Sequence, residues 1–194
     1  MSTIFLSFIK PNLFMPESPS KPAVTDPDSL LNNLELLGYG PSFNSEVCEM
    51  LEACAMFNQM ERNDIELIAE HFLAYVAEPD TMLLKEGHFD PFMCLLTQGK
   101  LAVNKEKGAY DTAPTRLATI LPGRTIGEMS LIDGQPHSAS VVTLTKSTLL
   151  VLTRDRLNAL SRTYPKTANR LILKIAQLLS HRLRQTSGKL VDYL

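Results

Sequence analysis

The residue types and spacings that could do chemistry are concentrated in Thr125–Val142, which reads TIGEMSLIDGQPHSASVV. Gly127 has no Cβ, so backbone there can come close to a ligand. Glu128–Leu131 opens a helical turn, and the first N–H groups of such a turn, at Met129 and Ser130, have no acceptor within the helix. They form an anion site. Glu128 adds carboxylate acceptors at its rim, suited to a ribose hydroxyl, and Ser138 offers a hydroxyl to a phosphate oxygen. Glu128 with His137 would make an acid–base pair on paper, but an anion pocket accounts for both more simply. No nucleophile–base pairing and no paired carboxylates stand out elsewhere, so the chain is not expected to be an enzyme.

The remaining reactive side chains point the same way. Cys48, Cys54 and Cys94 are odd in number, and an iron–sulfur cluster needs four ligands. They read as buried small hydrophobes in a reducing cytoplasm. His71, His88, His137 and His181 are scattered without paired metal-ligand spacing, so neither a metal nor a resident cofactor is expected. A net charge of −2 carries no basic bias toward polyphosphate. Arg182, Arg184 and Lys189 read as a solvated charged face. The opening MSTIFLSFIKP is too short in its apolar run, and too rich in Ser and Thr, for a signal peptide or a membrane span. A cytoplasmic protein with no membrane partner is the expectation.

The elements that must position Thr125–Val142 follow from hydrophobic rhythm. Residues 1–29 hold Pro11, Pro16, Pro19, Pro22 and Pro27, a density that blocks helix and ladder alike and predicts a flexible arm. Residues 30–56 read as a helical extension. In it Leu30–Leu37 forms a short helix ended by Gly38, and Ser42 caps a second that carries Val47, Met50, Leu51 and Cys54. A third helix starts at Asn63 with Glu66 three residues on. From Tyr75 short runs alternate with turns: Thr81–Leu84, Met93–Thr97, Leu101–Asn104, Arg116–Ile120, Ala139–Leu144 and Thr148–Thr153. That spacing predicts an antiparallel β-roll, jelly-roll-like, over 57–160. The fold class is thus α+β, mainly β, with N-terminal helices and a long C-terminal helix. Arg154–Leu160 makes a short helix. Over 161–194, after Tyr164-Pro165, Ile172, Ile175, Leu179, Leu183, Thr186, Leu190 and Tyr193 recur at intervals of three and four. Such a seam suits two helices side by side and predicts a homodimer.

Gly127-Glu128, followed by Pro136-x-Ser138-Ala139 before a strand, resembles the phosphate-binding cassette of cyclic-nucleotide-binding domains. Members include the bacterial catabolite activators and the regulatory subunit of protein kinase A. The likeness covers roughly residues 57–194, with Glu86-Gly87, Gln98-Gly99 and Leu121-Pro122-Gly123 at the family's glycine turns. It implies a ligand site of Gly127, Glu128, Met129, Ser130, His137, Ser138 and Ala139. Arg182–Leu190, RLRQTSGKL, resembles the catabolite activators' dimer helix, where a Thr-Ser pair contacts the purine; Thr186 and Ser187 take that place. One residue departs. The family has an arginine where this chain has His137, and neutral imidazole offers one donor and no charge. A protonated His137 would recover part of the loss.

The resemblance implies a non-catalytic signalling module that senses a cyclic purine nucleotide, cyclic AMP or cyclic GMP, and passes the change to a partner protein. In the family a helix-turn-helix follows the dimer helix; here the sequence stops at Leu194, so no direct DNA binding is expected. His137 favours a different reading, a degenerate fold that binds no nucleotide and serves as a protein-interaction or dimerisation scaffold. A cyclic dinucleotide, whose phosphates would tolerate the missing arginine, is a third.

Overall fold

The computed structural model describes residues 29–40, 43–105 and 115–191. The expected arm lies outside these except for Ser29, and Ser42 lies outside them too. Among the described residues, nine strands make two antiparallel sheets. One has five strands in the order β1 (Glu35–Tyr39), β2 (Leu73–Ala77), β9 (Ser147–Thr153), β4 (Phe92–Gln98), β7 (Thr125–Ile126). The other has four: β3 (Met82–Leu84), β8 (Ser140–Thr143), β5 (Leu101–Lys105), β6 (Thr115–Ile120). The expected β-roll is therefore the fold.

The five-stranded sheet is buried on both faces, which is why β4 and β9 read as nearly continuous apolar runs rather than alternating ones. Leu73, Tyr75, Phe92, Cys94, Leu96, Leu149 and Val151 face the second sheet, where Leu83, Leu84, Leu101 and Val141 meet them. Ala74, Met93, Leu95, Leu150 and Leu152 face outward and are covered by helices. Those helices are α1 (Asn44–Glu52), α2 (Arg62–Ala69), α4 (Arg154–Thr163) and α5 (Pro165–Val191). Buried Cys48 and Cys54 lie in this layer, and all three thiols are free.

Three local readings are corrected. Leu30–Leu37 is not a helix: a single 3-10 turn, Leu30–Asn33, gives way to β1, which pairs antiparallel with β2. The free edge of β2 offers that segment a full set of backbone partners, which a lone short helix lacks. Ser29, placed in the arm, is 3% exposed and donates its hydroxyl to the Asp90 carboxylate at 2.7 Å, so this residue is tied to the roll. Asn63 does not cap α2; Glu61 precedes the helix in extended conformation and offers no side-chain cap.

The C-terminal seam is also redrawn. Ile175 is fully buried in its own roll beside Leu171 and Ala168. The outward stripe on α5 runs through Ile172, Ala176, Leu179 and Leu183, at steps of four, three and four. Leu179 also touches the inner core, whereas Leu183 is 68% exposed. Thr186 extends the stripe and is exposed; the side chains of Leu190 and Tyr193 lie outside those described. Buried Asp64 of α2 anchors the start of α5. It accepts the Thr167 hydroxyl at 2.7 Å and pairs with Arg170. Burial alone would raise the Asp64 carboxyl, but Thr167 and Arg170 together hold it below the usual range.

Candidate functional site

Helix α3 (Glu128–Asp133) is placed by glycines at both ends. Gly127 has φ +78°, and a Cβ there would stand 2.5 Å from the Phe92 carbonyl oxygen. Strand β4 thus runs so close behind the turn that only glycine fits, which delivers Glu128 directly into the interior. Beyond Gly134 the chain returns along the turn after β3. His137 N–H donates to the His88 carbonyl at 3.0 Å, Gly87 N–H to the His137 carbonyl at 2.9 Å, and Glu86 N–H to the Ser140 hydroxyl at 3.0 Å. Lys105 at the end of β5 donates to the Ser138 carbonyl at 2.7 Å and pairs with Glu86 at 2.5 Å. The segment expected to carry the chemistry is therefore pinned on both sides.

Between the sheets it lines an open cavity of about 170 Å³. That is room for several waters at about 30 Å³ each. Gly127, Glu128, Met129, Ser130, His137, Ser138 and Ala139 all line it, so one cavity gathers every expected residue of the cassette. Leu84, Val103, Ile120 and Val141 form an apolar wall that no motif announced. Thr186 and Ser187 do not line it within this chain; both are exposed, and the Thr186 hydroxyl donates back to the Arg182 carbonyl at 3.0 Å.

Arg182 does reach it, which corrects its reading as a solvated side chain. Its guanidinium pairs with Glu128 and donates to the Thr125 carbonyl at 2.7 Å. Burial lowers the Arg182 pKa, and the nearby charge of Arg124 lowers it further. The signal was present in the sequence: Arg182 sits one turn before Thr186 and so on the same helix face. Glu128 is 2% exposed; its Oε1 faces the Arg182 guanidinium, and its Oε2 has no hydrogen-bond donor among the described residues. An acceptor left open beside a cavity and next to a guanidinium is a place for hydroxyl and anion together.

His137 is packed into the wall of the cavity. It is 5% exposed, its Nδ1 lies 2.9 Å from the Ser130 hydroxyl, and its ring meets Phe92 edge-on with centroids 6.0 Å apart. Burial pushes the imidazole below its ordinary 6.5; the Asp90 backbone opposes this and His88 reinforces it. Burial thus favours the neutral ring in the fold without ligand. Because the unfolded ring takes its proton first, stability is present above the ordinary value and is lost as pH falls below it toward the folded value. His137→Gln should therefore shrink the loss of melting temperature between about pH 7.5 and about pH 5.5. An unchanged loss would mean that the burial of His137 is not what sensitises the fold to acid.

The family model for the cyclic nucleotide-binding domain matches residues 76–164, which take in the strands around the cavity and the whole of α3. Over these residues the chain is similar to a cyclic nucleotide-binding domain. The cyclic AMP receptor protein of Thermus thermophilus is 28% identical over 141 residues, 72% of this chain and 62% of its own length. The chain thus spans about three-fifths of the curated relatives it matches. The structure of a cyclic nucleotide-binding domain from Methylobacillus flagellatus superposes with a TM-score of 0.72 at 28% identity, covering 85% of this chain and 92% of that one. The regulatory domain of Toxoplasma gondii PKA shares the fold with a TM-score of 0.62 at 17% identity, covering 74% and 51%. Among the described residues no helix is long and apolar enough to cross a membrane, and no cluster of His, Cys, Asp or Glu could hold a metal.

Proposed function

We propose that the protein is a non-catalytic, cytoplasmic receptor module that binds a cyclic purine nucleotide, cyclic AMP or cyclic GMP, and passes the change to a partner protein. The observation that carries this reading is the buried Glu128 carboxylate, which lines the cavity paired with Arg182. Glu128 accepts the ribose 2′-hydroxyl. The N–H groups of Met129 and Ser130, with the Ser138 hydroxyl, receive the phosphate. Arg182 takes over the charge that the family's cassette arginine supplies, and the apolar wall of Val103, Ile120 and Val141 contacts the purine. The Thermus relative, a cyclic AMP receptor by name, supports the same ligand class.

A thermal-shift titration with cyclic AMP and cyclic GMP tests the reading. Ligand at about 100 times its dissociation constant should add roughly 2.7 kcal/mol of stability. No shift with either nucleotide would leave the scaffold reading, which His137 favours by facing Ser130 and Phe92.

The module acts as a homodimer joined along α5. The outward stripe of Ile172, Ala176, Leu179 and Leu183 has the alternating spacing of two helices packed side by side. In a dimer the exposed Thr186 and Ser187 come to lie at the junction of the two chains, where they contact the purine. Leu183 is exposed in one chain, so Leu183→Asp leaves the roll intact and places a charge in the joint. Light scattering should find the wild type at twice the chain mass and the variant at the chain mass. A dimeric variant would rule out this seam.

A further inference from the structure

Helix α3 is tied to the C-terminal helices at both of its ends, and only one tie involves the ligand pocket. At its head, Glu128 pairs with Arg182 of α5. At its tail the Ser130 carbonyl accepts the N–H of the capping Gly134 at 3.0 Å, but the carbonyls after it have no donor within the helix. Arg154, the first residue of α4, fills them. Its Nε and Nη2 donate to the Leu131 carbonyl at 3.0 and 2.7 Å, and Nη2 also reaches the Ser130 carbonyl at 3.3 Å. Arg154 is itself fixed, since its N–H donates to the Pro91 carbonyl at 2.9 Å and Thr153 before it caps α4. The guanidinium lies directly over Gly134, where a Cβ would stand 2.7 Å from Nη1.

We propose that Arg154 is a positioning residue that couples the cassette helix to the α4–α5 unit, so that a shift of α3 on ligand binding is delivered to α4. The inference rests on the reading of the cavity as a cyclic-nucleotide site. The contacts close a ring: Glu128, α3, Arg154, α4, α5, Arg182 and back to Glu128. A ligand that engages Glu128 and Arg182 loosens the head of α3, and the tail stays latched to α4. The head then cannot move without loading Arg154. The guanidinium fork sets Nε and Nη2 together on the Leu131 carbonyl while Nη2 also reaches the Ser130 carbonyl, a rigid pattern that the single nitrogen of lysine on its flexible stem does not reproduce. Arg154 touches no residue that would meet the ligand's reacting or charged atoms except through the backbone of Ser130.

Hydrogen exchange on the full chain tests this with two variants. In Arg154→Lys, cyclic AMP should bind within about threefold of wild type, since no first contact is removed. The protection change that cyclic AMP causes in α4 of the wild type should be lost. A ligand-induced change in α4 equal to that of wild type overturns the proposal. The second variant, Gly134→Ala, displaces the guanidinium without altering Arg154, and is read with no ligand. Exchange should quicken by about tenfold at the tail of α3 and also in the first turn of α4. Quickening in α3 alone overturns the coupling. Because this arm needs no nucleotide, a wild type that fails to bind cyclic AMP counts against the proposed function, and the coupling is still decided.

Discussion

Gly127→Ala is expected to lower the stability of the fold by about 3 kcal/mol. A left-handed residue with a Cβ costs roughly 1–2 kcal/mol. The added methyl would also meet the Phe92 carbonyl oxygen at 2.5 Å, and that oxygen belongs to backbone at the centre of the molecule. Displacing packed backbone costs about 1–3 kcal/mol more. For a chain of this length the melting temperature should fall by roughly 6–12 °C. Gly123 is the control: its φ is +83°, but nothing lies within 4 Å of a Cβ there. Gly123→Ala should show the backbone part alone. Equal losses for the two variants would mean that the close approach of β4 to the cassette is not what demands glycine at 127.

The second large effect concerns the buried pair. Glu128 is 2% exposed, whereas the Arg182 side chain is 36% exposed. The two truncations should therefore differ. Arg182→Ala strands a carboxylate in the interior and should cost about 3 kcal/mol, the low end for breaking a buried pair because the arginine is partly solvated. Glu128→Gln leaves a guanidinium that turns to water and should cost less than about 1 kcal/mol. Combining them should restore most of the stability lost in Arg182→Ala. Denaturant melts of the three variants measure this, and additive losses would contradict the pairing. Calorimetry with cyclic AMP reads the functional side. Losing a charged hydrogen bond to phosphate is worth about 1.5–3 kcal/mol, or roughly one to two decades in affinity. Arg182→Ala should lose that much; undiminished affinity would mean that the phosphate is held by other groups.

The sequence by itself determined what depends on near neighbours in the chain. The Gly127-Glu128 turn, the short helix after it and the Pro136–Ala139 return follow from local backbone preference, and together they outline the cassette. The strands from Met82 to Thr153 were legible because turn residues punctuate them and their apolar runs are too short for helices. The two residues of β7, Thr125–Ile126, gave no such signal, being too few to show a rhythm.

Tertiary structure decided the rest. Leu30–Leu37 suits a helix by composition and becomes partly strand only because β2 has an edge to offer. Ile175 and Ala176 are neighbours on α5, about 100° apart around a helix of 3.6 residues per turn. Which of them faces the roll depends on where α4 and Asp64 set the helix down, and periodicity alone chose the wrong one. Arg182 and His137 make the same point for the site. An arginine among polar neighbours on a helix reads as solvated until the helix is laid across a cavity that holds a buried carboxylate. A histidine in an anion motif is charged or neutral according to its surroundings, and here burial beside Ser130 and Phe92 favours the neutral ring. Side-chain type and spacing set which contacts are possible, and long-range packing selects among them, because burial and charge are properties of the surroundings.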